Sequence, residues 1–210
     1  MSDVRTYGPE GESNEPRAAA TNRWTTRDVV VSAALAVPLG LIWVYVWGLV
    51  WTTGRAISPE LGFLLDGFYI AGGVLVGYVV RKPGAALLGE MIAALVELPL
   101  TPFGAVVLWL GLVQGLGVEA VFAATRYRNW SLPIVMLAGL FDALFGWFGY
   151  DYWIYGYFQL AVGVQILRFV LKLIGGAVFG GLLGKLIADG LAATGVLNNF
   201  AIACDRVREI

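Results

Sequence analysis

Five acidic or amide side chains lie inside long apolar stretches of this 210-residue chain, namely Glu90, Glu97, Gln114, Glu119 and Asp142. A carboxylate in hydrocarbon costs several kcal/mol unless it is paired, protonated or facing a cavity. Each of these residues is therefore a candidate functional group. The chemistry that suits them is recognition of a polar ligand, or pairing between helices.

Their depth follows from the cations that border the apolar stretches. Counted at ~1.5 Å per residue, Glu97, Gln114 and Asp142 lie roughly 18–22 Å from those cations, and Glu90 and Glu119 roughly 10–12 Å. We predict that the first three form an outer polar layer that contacts a ligand. We predict that Glu90 and Glu119 form an inner polar pair, which could equally be structural.

An aromatic stretch follows the segment that carries Asp142 and includes Trp147, Tyr150, Tyr152, Trp153, Tyr155 and Tyr157. Such rings could stack on a small flat cationic or heteroaromatic ligand, while carboxylate and amide groups bind its edge. We predict ligand contacts from Trp147, Tyr150 and Trp153. The alternative interpretation is an ordinary belt of aromatic side chains at the membrane interface.

The elements that carry these residues are predicted to be membrane helices. The chain is 59% hydrophobic and 14% charged, whereas soluble domains carry about 25% charged residues. A spanning helix needs roughly 20 mostly apolar residues. We predict an all-α integral membrane bundle of six transmembrane helices: Val29–Trp51, Phe63–Val80, Ala85–Leu100, Val106–Ala124, Leu132–Phe148 and Leu167–Ala188.

The distribution of cations predicts the orientation of this bundle. Cytoplasmic loops carry an excess of Lys and Arg, and here the cations fall on alternate loops: Arg23, Arg27, Arg81, Lys82, Arg126, Arg128, Arg206 and Arg208. We therefore predict a plasma-membrane protein with both termini in the cytoplasm. The predicted organisation is a disordered tail at 1–22, a membrane domain at 23–197 and a short tail at 198–210.

Composition and missing motifs exclude several classes of function. A net charge of −1 argues against nucleic-acid binding. With no histidine and one cysteine, Cys204, the chain lacks common metal ligands and cannot form an intrachain disulfide. The Gly-rich run ending at Lys185 fails the phosphate-loop spacing, because Phe179 occupies the first glycine position. We predict no enzyme activity, no metal and no cofactor.

Small residues recur at four-residue spacing in several of the predicted helices. In the first helix they are Ser32, Ala36 and Gly40. Such a stripe lets another helix approach closely. It could pack within the bundle or dock another membrane protein, and we predict docking for this one.

Several short segments together resemble those of the substrate-binding S components of energy-coupling-factor (ECF) transporters, of the YkoE type. They are 23–28, 81–86 leading to Glu90, 114–119, 127–131 and 194–197. The resemblance implies a six-helix bundle that captures thiamine or its hydroxymethylpyrimidine (HMP) precursor from outside. It also implies docking on a T component coupled to two ATPase subunits. A membrane scaffold without a ligand is the other hypothesis that remains open.

Overall fold

The computed structural model describes residues 23–197, Phe200 and Ile202, with the backbone alone at positions 46, 47, 50 and 51. Regular structure in this part of the chain is helical, and no strand occurs in it. The all-α prediction is therefore confirmed. The predicted tail at 1–22 lies outside the described residues, as does Cys204.

Six helical stretches follow one another along the described chain. Helix α1 consists of Thr26–Ile42, the π-helical turn Trp43–Trp47 and Gly48–Ile57. The next four are α2 (Leu61–Val80), α3 (Ala85–Glu97), α4 (Val106–Ala124) and α5 (Leu132–Asp151). Helix α6 (Val162–Ala193) contains a π-helical segment at Gly176–Leu183 and follows a short turn at Tyr157–Gln159.

Five of these helices, α1, α2, α4, α5 and α6, are long and apolar enough to cross a membrane. Helix α3 has 13 residues, which span only about 20 Å at ~1.5 Å per residue. It packs between α1, α2 and α4. The predicted count of six spanning helices is therefore not confirmed by helix length.

One end of the bundle gathers the cation-rich segments. The indole N–H of Trp24 donates to the carbonyl of Pro83 at 3.0 Å, and Lys82 binds Asp28 at 2.6 Å. These contacts join the start of α1 to the loop between α2 and α3. The guanidinium of Arg27 lies 4.6 Å from the centre of the Phe200 ring, so the chain after α6 returns to this end.

The first helix begins at this end because of its capping residues. The Thr25 side chain accepts from the backbone N–H of Asp28, and the Asp28 carboxylate accepts from the N–H of Thr25. This reciprocal pair satisfies two of the backbone donors that a helix start leaves free.

The structure corrects the sequence prediction that the small-residue stripe of α1 docks another protein. Ser32 and Ala36 are completely buried, and a Cβ added to Gly40 would lie 2.7 Å from the carbonyl oxygen of Ala93 in α3. The stripe therefore packs inside the bundle, where a partner protein cannot reach it. Instead, α1 exposes Val30, Tyr45 and Leu49 on other faces.

The packed domain continues beyond the boundary predicted at residue 197. Phe200 and Ile202 are buried and belong to the main core cluster, together with Val118, Val135 and Ala188. Part of the segment predicted as a tail is thus structural.

Helices α2, α5 and α6 approach so closely that only glycine fits at their crossings. A Cβ on Gly175 would collide with the carbonyl oxygen of Leu64, and one on Gly139 would collide with that of Gly176. We expect Gly175→Ala to destabilise the protein by about 1–3 kcal/mol, because backbone rather than a flexible side chain must move. Thermal unfolding in detergent measures the effect.

Gly190 provides the matched control, because it lies in the last turns of the same helix and a Cβ there meets nothing within 4 Å. Gly190→Ala should leave stability unchanged or raise it by up to about 1 kcal/mol, since Gly costs backbone entropy in a helix. Equal losses in the two variants would contradict the proposed crossing.

Candidate ligand-binding site

A cavity of about 670 Å³, counted with its open mouth, lies at the end of the bundle opposite the cation-rich loops. Its walls come from the start of α2, the end of α3, α4, the end of α5, α6 and the connections between them. The lining residues with polar groups are Asp66, Tyr69, Glu97, Gln114, Tyr150, Asp151, Tyr155, Tyr157 and Lys172. A pocket lined by aromatic rings with a few polar groups is typical of sites for small organic molecules.

Glu97 lies at the last residue of α3 and is 4% exposed. The Tyr69 hydroxyl of α2 donates to its Oε1 at 2.9 Å. The Tyr69 ring is in turn packed on Trp43, with 5.4 Å between the ring centres. An ionised carboxylate has about four acceptor positions, so Glu97 can still accept hydrogen bonds from a ligand.

Gln114 projects from the middle of α4 and is 5% exposed. Its side chain lies over Gly146 of α5, where an added Cβ would come 3.3 Å from the Gln114 Cγ. The absence of a side chain at Gly146 makes room for this amide. Glu97, Gln114 and Tyr150, three of the six predicted ligand contacts, therefore line the same cavity.

The other three predicted contacts, Asp142, Trp147 and Trp153, do not line the cavity. Asp142 is completely buried in α5, and neither of its oxygens has a hydrogen-bond partner among the described residues. Trp147 is 3% exposed and packs behind Tyr157, with 5.7 Å between ring centres. Trp153 is 65% exposed, and its ring packs edge-on against that of Tyr152.

Glu90 and Glu119, predicted to form an inner pair, each bind different partners. Glu90 accepts from the backbone N–H of Gly73 in α2. Glu119 accepts from the N–H of Gly84 at 2.6 Å and from the Tyr127 hydroxyl at 2.6 Å. The first helical turn of α3 has free backbone donors, and this explains why a carboxylate of α4 binds there.

The Tyr127 hydroxyl remains a donor in this contact. Burial raises the pKa of Tyr127 above its usual value, and the hydrogen bond to Glu119 raises it further. Glu119, Tyr127 and the α3 N-terminus thus hold together the loop ends at the cation-rich end of the bundle.

Sequence reasoning missed the charged cluster in the cavity wall. The Lys172 ammonium of α6 donates to Asp151 at the end of α5 and lies 3.4 Å from Asp66 of α2. Lys172 and Asp151 are both buried. The available signal was Lys172 itself, because a cation inside an apolar helix requires acidic partners.

The cavity carries an excess of negative charge. Asp66, Glu97 and Asp151 supply three carboxylates against the one ammonium of Lys172 among the lining residues, a formal excess of two negative charges. Burial, together with Asp151 and Asp66, raises the pKa of the Tyr157 hydroxyl, which therefore remains protonated. The arrangement can hold an organic cation or a heteroaromatic ring that offers N–H donors.

Comparisons with known proteins agree on one family. A family model described as "ABC-type cobalt transport system, permease component" matches residues 27–145. A protein of Bacillus subtilis (strain 168), with the provisional name HMP/thiamine permease protein YkoE, is 39% identical over 184 residues, which cover 85% of this chain and 90% of that protein.

A solved structure gives the same result for the fold. The crystal structure of an S-component of an ECF transporter matches with a TM-score of 0.84 and 36% identity, covering 89% of this chain and 95% of that one. These relatives are transport proteins rather than enzymes. The chain belongs to the family of ECF transporter S components, which are multi-pass membrane proteins.

Proposed function

We propose that this protein is the substrate-capture subunit of an ECF-type vitamin importer and binds thiamine or HMP from outside in the cavity between α2 and α6. The observation that carries this proposal is the presence of Glu97 and Gln114 in the wall of a cavity lined with aromatic rings. The relative named as an HMP/thiamine permease supports the choice of ligand.

The chemistry of these ligands suits the cavity. An aminopyrimidine offers N–H donors to the Glu97 carboxylate and ring nitrogens to the Gln114 amide. The rings of Tyr69, Tyr150 and Tyr157 offer faces and hydroxyls to a flat ligand. The thiazolium of thiamine is a cation, which the negative excess of the cavity would attract.

A divalent metal suits the site less well, although the matching family model is named for cobalt transport. The Lys172 ammonium lies between Asp66 and Asp151, in the position that a metal ion would need to take. A metal would have to displace this buried cation from both carboxylates.

We further propose that all six helices cross the membrane, with both termini in the cytoplasm and the cavity open to the outside. The clustering of the cation-rich segments at one end and the cavity at the other supports this orientation. Helix α3 is short, and the turns that follow it at 98–104 would complete its path across the membrane.

Cysteine labelling in whole cells tests this orientation. In a Cys204→Ser background, we expect a membrane-impermeant maleimide to label Trp153→Cys in intact cells. Ser131→Cys, which is exposed between α4 and α5, should react only after lysis. The opposite pattern would contradict the orientation.

Release of the ligand is proposed to depend on a T component and two ATPase subunits. The chain has no phosphate-loop motif, so the energy would come from those partners. Docking must favour a conformation that holds the ligand poorly, because a partner shifts an equilibrium only by its differential affinity for the two states. Uptake of labelled thiamine should require all the subunits together.

Tyr69→Phe should weaken ligand binding by roughly 3–10-fold, as expected for the loss of one hydrogen bond. The hydroxyl positions Glu97 and lines the cavity. Titration of intrinsic Trp fluorescence measures the affinity. Tyr45→Phe is the control, because Tyr45 is 69% exposed on α1; equal affinities in the two variants would contradict a role for Tyr69.

The scaffold hypothesis makes a different prediction. A protein that binds a ligand in its native state is stabilised as the ligand concentration rises, by about 2.7 kcal/mol at a hundredfold excess over Kd. Thermal unfolding with thiamine, HMP and unrelated vitamins should therefore show stabilisation by thiamine or HMP. A scaffold would show none with any of these compounds.

A further inference from the structure

Asp142 is the buried carboxyl whose two oxygens lack a partner among the described residues. It is completely buried in α5, a helix long and apolar enough to cross the membrane. Buried polar atoms are nearly always hydrogen-bonded, and an ionised carboxylate without a partner is far more costly than a neutral one. The orphaned carboxyl therefore calls for a specific explanation.

The packing of α4 against α5 places Asp142 beside Gln114. A Cβ on Gly117 of α4 would lie 3.0 Å from the Asp142 Cα, and the Gln114 side chain lies over Gly146. Gln114 precedes Gly117 by about one turn, and Gly146 follows Asp142 by about one turn. Since the two helices run in opposite directions, the carboxyl and the amide occupy adjoining positions across the interface. They are close enough to interact, but without the geometry of a full hydrogen bond.

The charged neighbours of Asp142 do not supply a counterion. Glu90 of α3 lies near enough to interact electrostatically with Asp142, and it is an acid rather than a cation. Lys172 acts on it from α6, but its ammonium is bound to Asp151 and Asp66. A carboxyl buried away from water without a cation of its own favours the protonated form.

We propose that Asp142 is a positioning residue for Gln114: its carboxyl stays protonated, donates a hydrogen bond to the amide oxygen of Gln114, and so leaves one amide N–H directed toward the cavity. In this arrangement the Gln114 amide would turn about its terminal torsion to meet the carboxyl. A neutral acid and an amide can form two hydrogen bonds with each other, and one N–H of the amide remains for a ligand.

This inference rests on the proposed function and sharpens it. Gln114 would present a donor, so the site would select ligands with an acceptor at that position, such as a ring nitrogen of a pyrimidine. Asp142 itself would not touch the ligand, although the sequence predicted that it does.

A double-mutant cycle tests the coupling, with thiamine and HMP as the probes. Asp142→Leu and Gln114→Leu are each expected to weaken binding about tenfold, as for one hydrogen bond lost at a buried site. The double variant should bind no more weakly than Gln114→Leu alone. Additive losses, or an unchanged affinity for Asp142→Leu, would overturn the proposal.

Asp142→Asn separates a neutral carboxyl from a charged one and keeps the side-chain volume. Its affinity should stay within about threefold of the wild type, because an amide can replace a protonated acid in this pair. A loss as large as that of Asp142→Leu would instead show a charge in contact with the ligand or a bound cation.

Infrared spectroscopy of the wild-type protein covers the case in which Asp142→Leu does not fold. The carbonyl stretch of the protonated Asp142 carboxyl should be present in the spectrum of the wild type and absent from that of Asp142→Asn. A spectrum without that difference would overturn the proposal. Failure of the wild type to bind either probe would instead contradict the proposed function, and leaves the infrared result to decide the state of Asp142.

Discussion

Glu97→Gln is expected to weaken the binding of thiamine and HMP by roughly 10–100-fold, the range for a hydrogen bond to a charged group. The substitution keeps the size of the side chain and its contact with Tyr69, but removes the charge that accepts from a ligand amine. It also removes one of the three carboxylates in the cavity wall. Isothermal titration calorimetry measures the affinity.

Glu60→Gln is the matched control for this prediction. Glu60 lies at the same end of the bundle, paired with Arg168 at 2.9 Å, and does not line the cavity. Its replacement should change affinity by less than about twofold, since the charge is partly solvated and screened. Binding by Glu97→Gln that equals binding by Glu60→Gln would remove Glu97 from the site.

Lys172→Met is expected to have the largest effect on stability, a loss of about 3–5 kcal/mol in the free energy of unfolding. The reason is that Asp151 and Asp66 would remain in the buried wall without their counterion. The protein without ligand, unfolded by heat in detergent and followed by Trp fluorescence, provides the measurement.

Two variants test the cause of that loss. Arg168→Gln breaks an ion pair with more exposed side chains, so it should cost at most about 1 kcal/mol. Lys172→Met combined with Asp151→Asn removes opposite charges together and should recover most of the stability. No recovery in the double variant would show that lost packing, rather than an uncompensated charge, causes the effect.

The sequence could locate the helices because hydrophobic runs and their breaks are local features. The predicted segment Val106–Ala124 coincides with α4, and Leu132 and Ala85 are the first residues of α5 and α3. Helix α6 was predicted to start at Leu167, but it starts at Val162. The sequence prediction began the hydrophobic run only at Leu167, so it missed the first turn of the helix.

Depth along a helix was also accessible from the sequence, but direction around a helix was not. Glu97 and Gln114 were placed at one depth, and they do meet in one cavity. Asp142 was assigned the same depth, yet it points into the core, because the crossing of α4 and α5 at Gly117 fixes its direction. The same limit explains why the stripe at Ser32 and Ala36 was assigned to a partner rather than to α3.

Pairings between distant residues were the least accessible. Lys172 meets Asp66 and Asp151 only because three helices converge at the cavity. A single sequence contains no distances between helices, although a lysine within an apolar segment signals that acids must lie nearby. The resemblance to ECF S components predicted the bundle and the class of ligand, but not these contacts.

The central claim is that the cavity containing Glu97 and Gln114 captures a thiamine-related ligand. The most direct test is calorimetric titration of the purified protein with thiamine and with HMP. We expect saturable binding of at least one of them at a single site per chain, with Glu97→Gln binding at least about tenfold more weakly than Glu60→Gln. Absence of binding to both compounds by a folded protein would contradict the account.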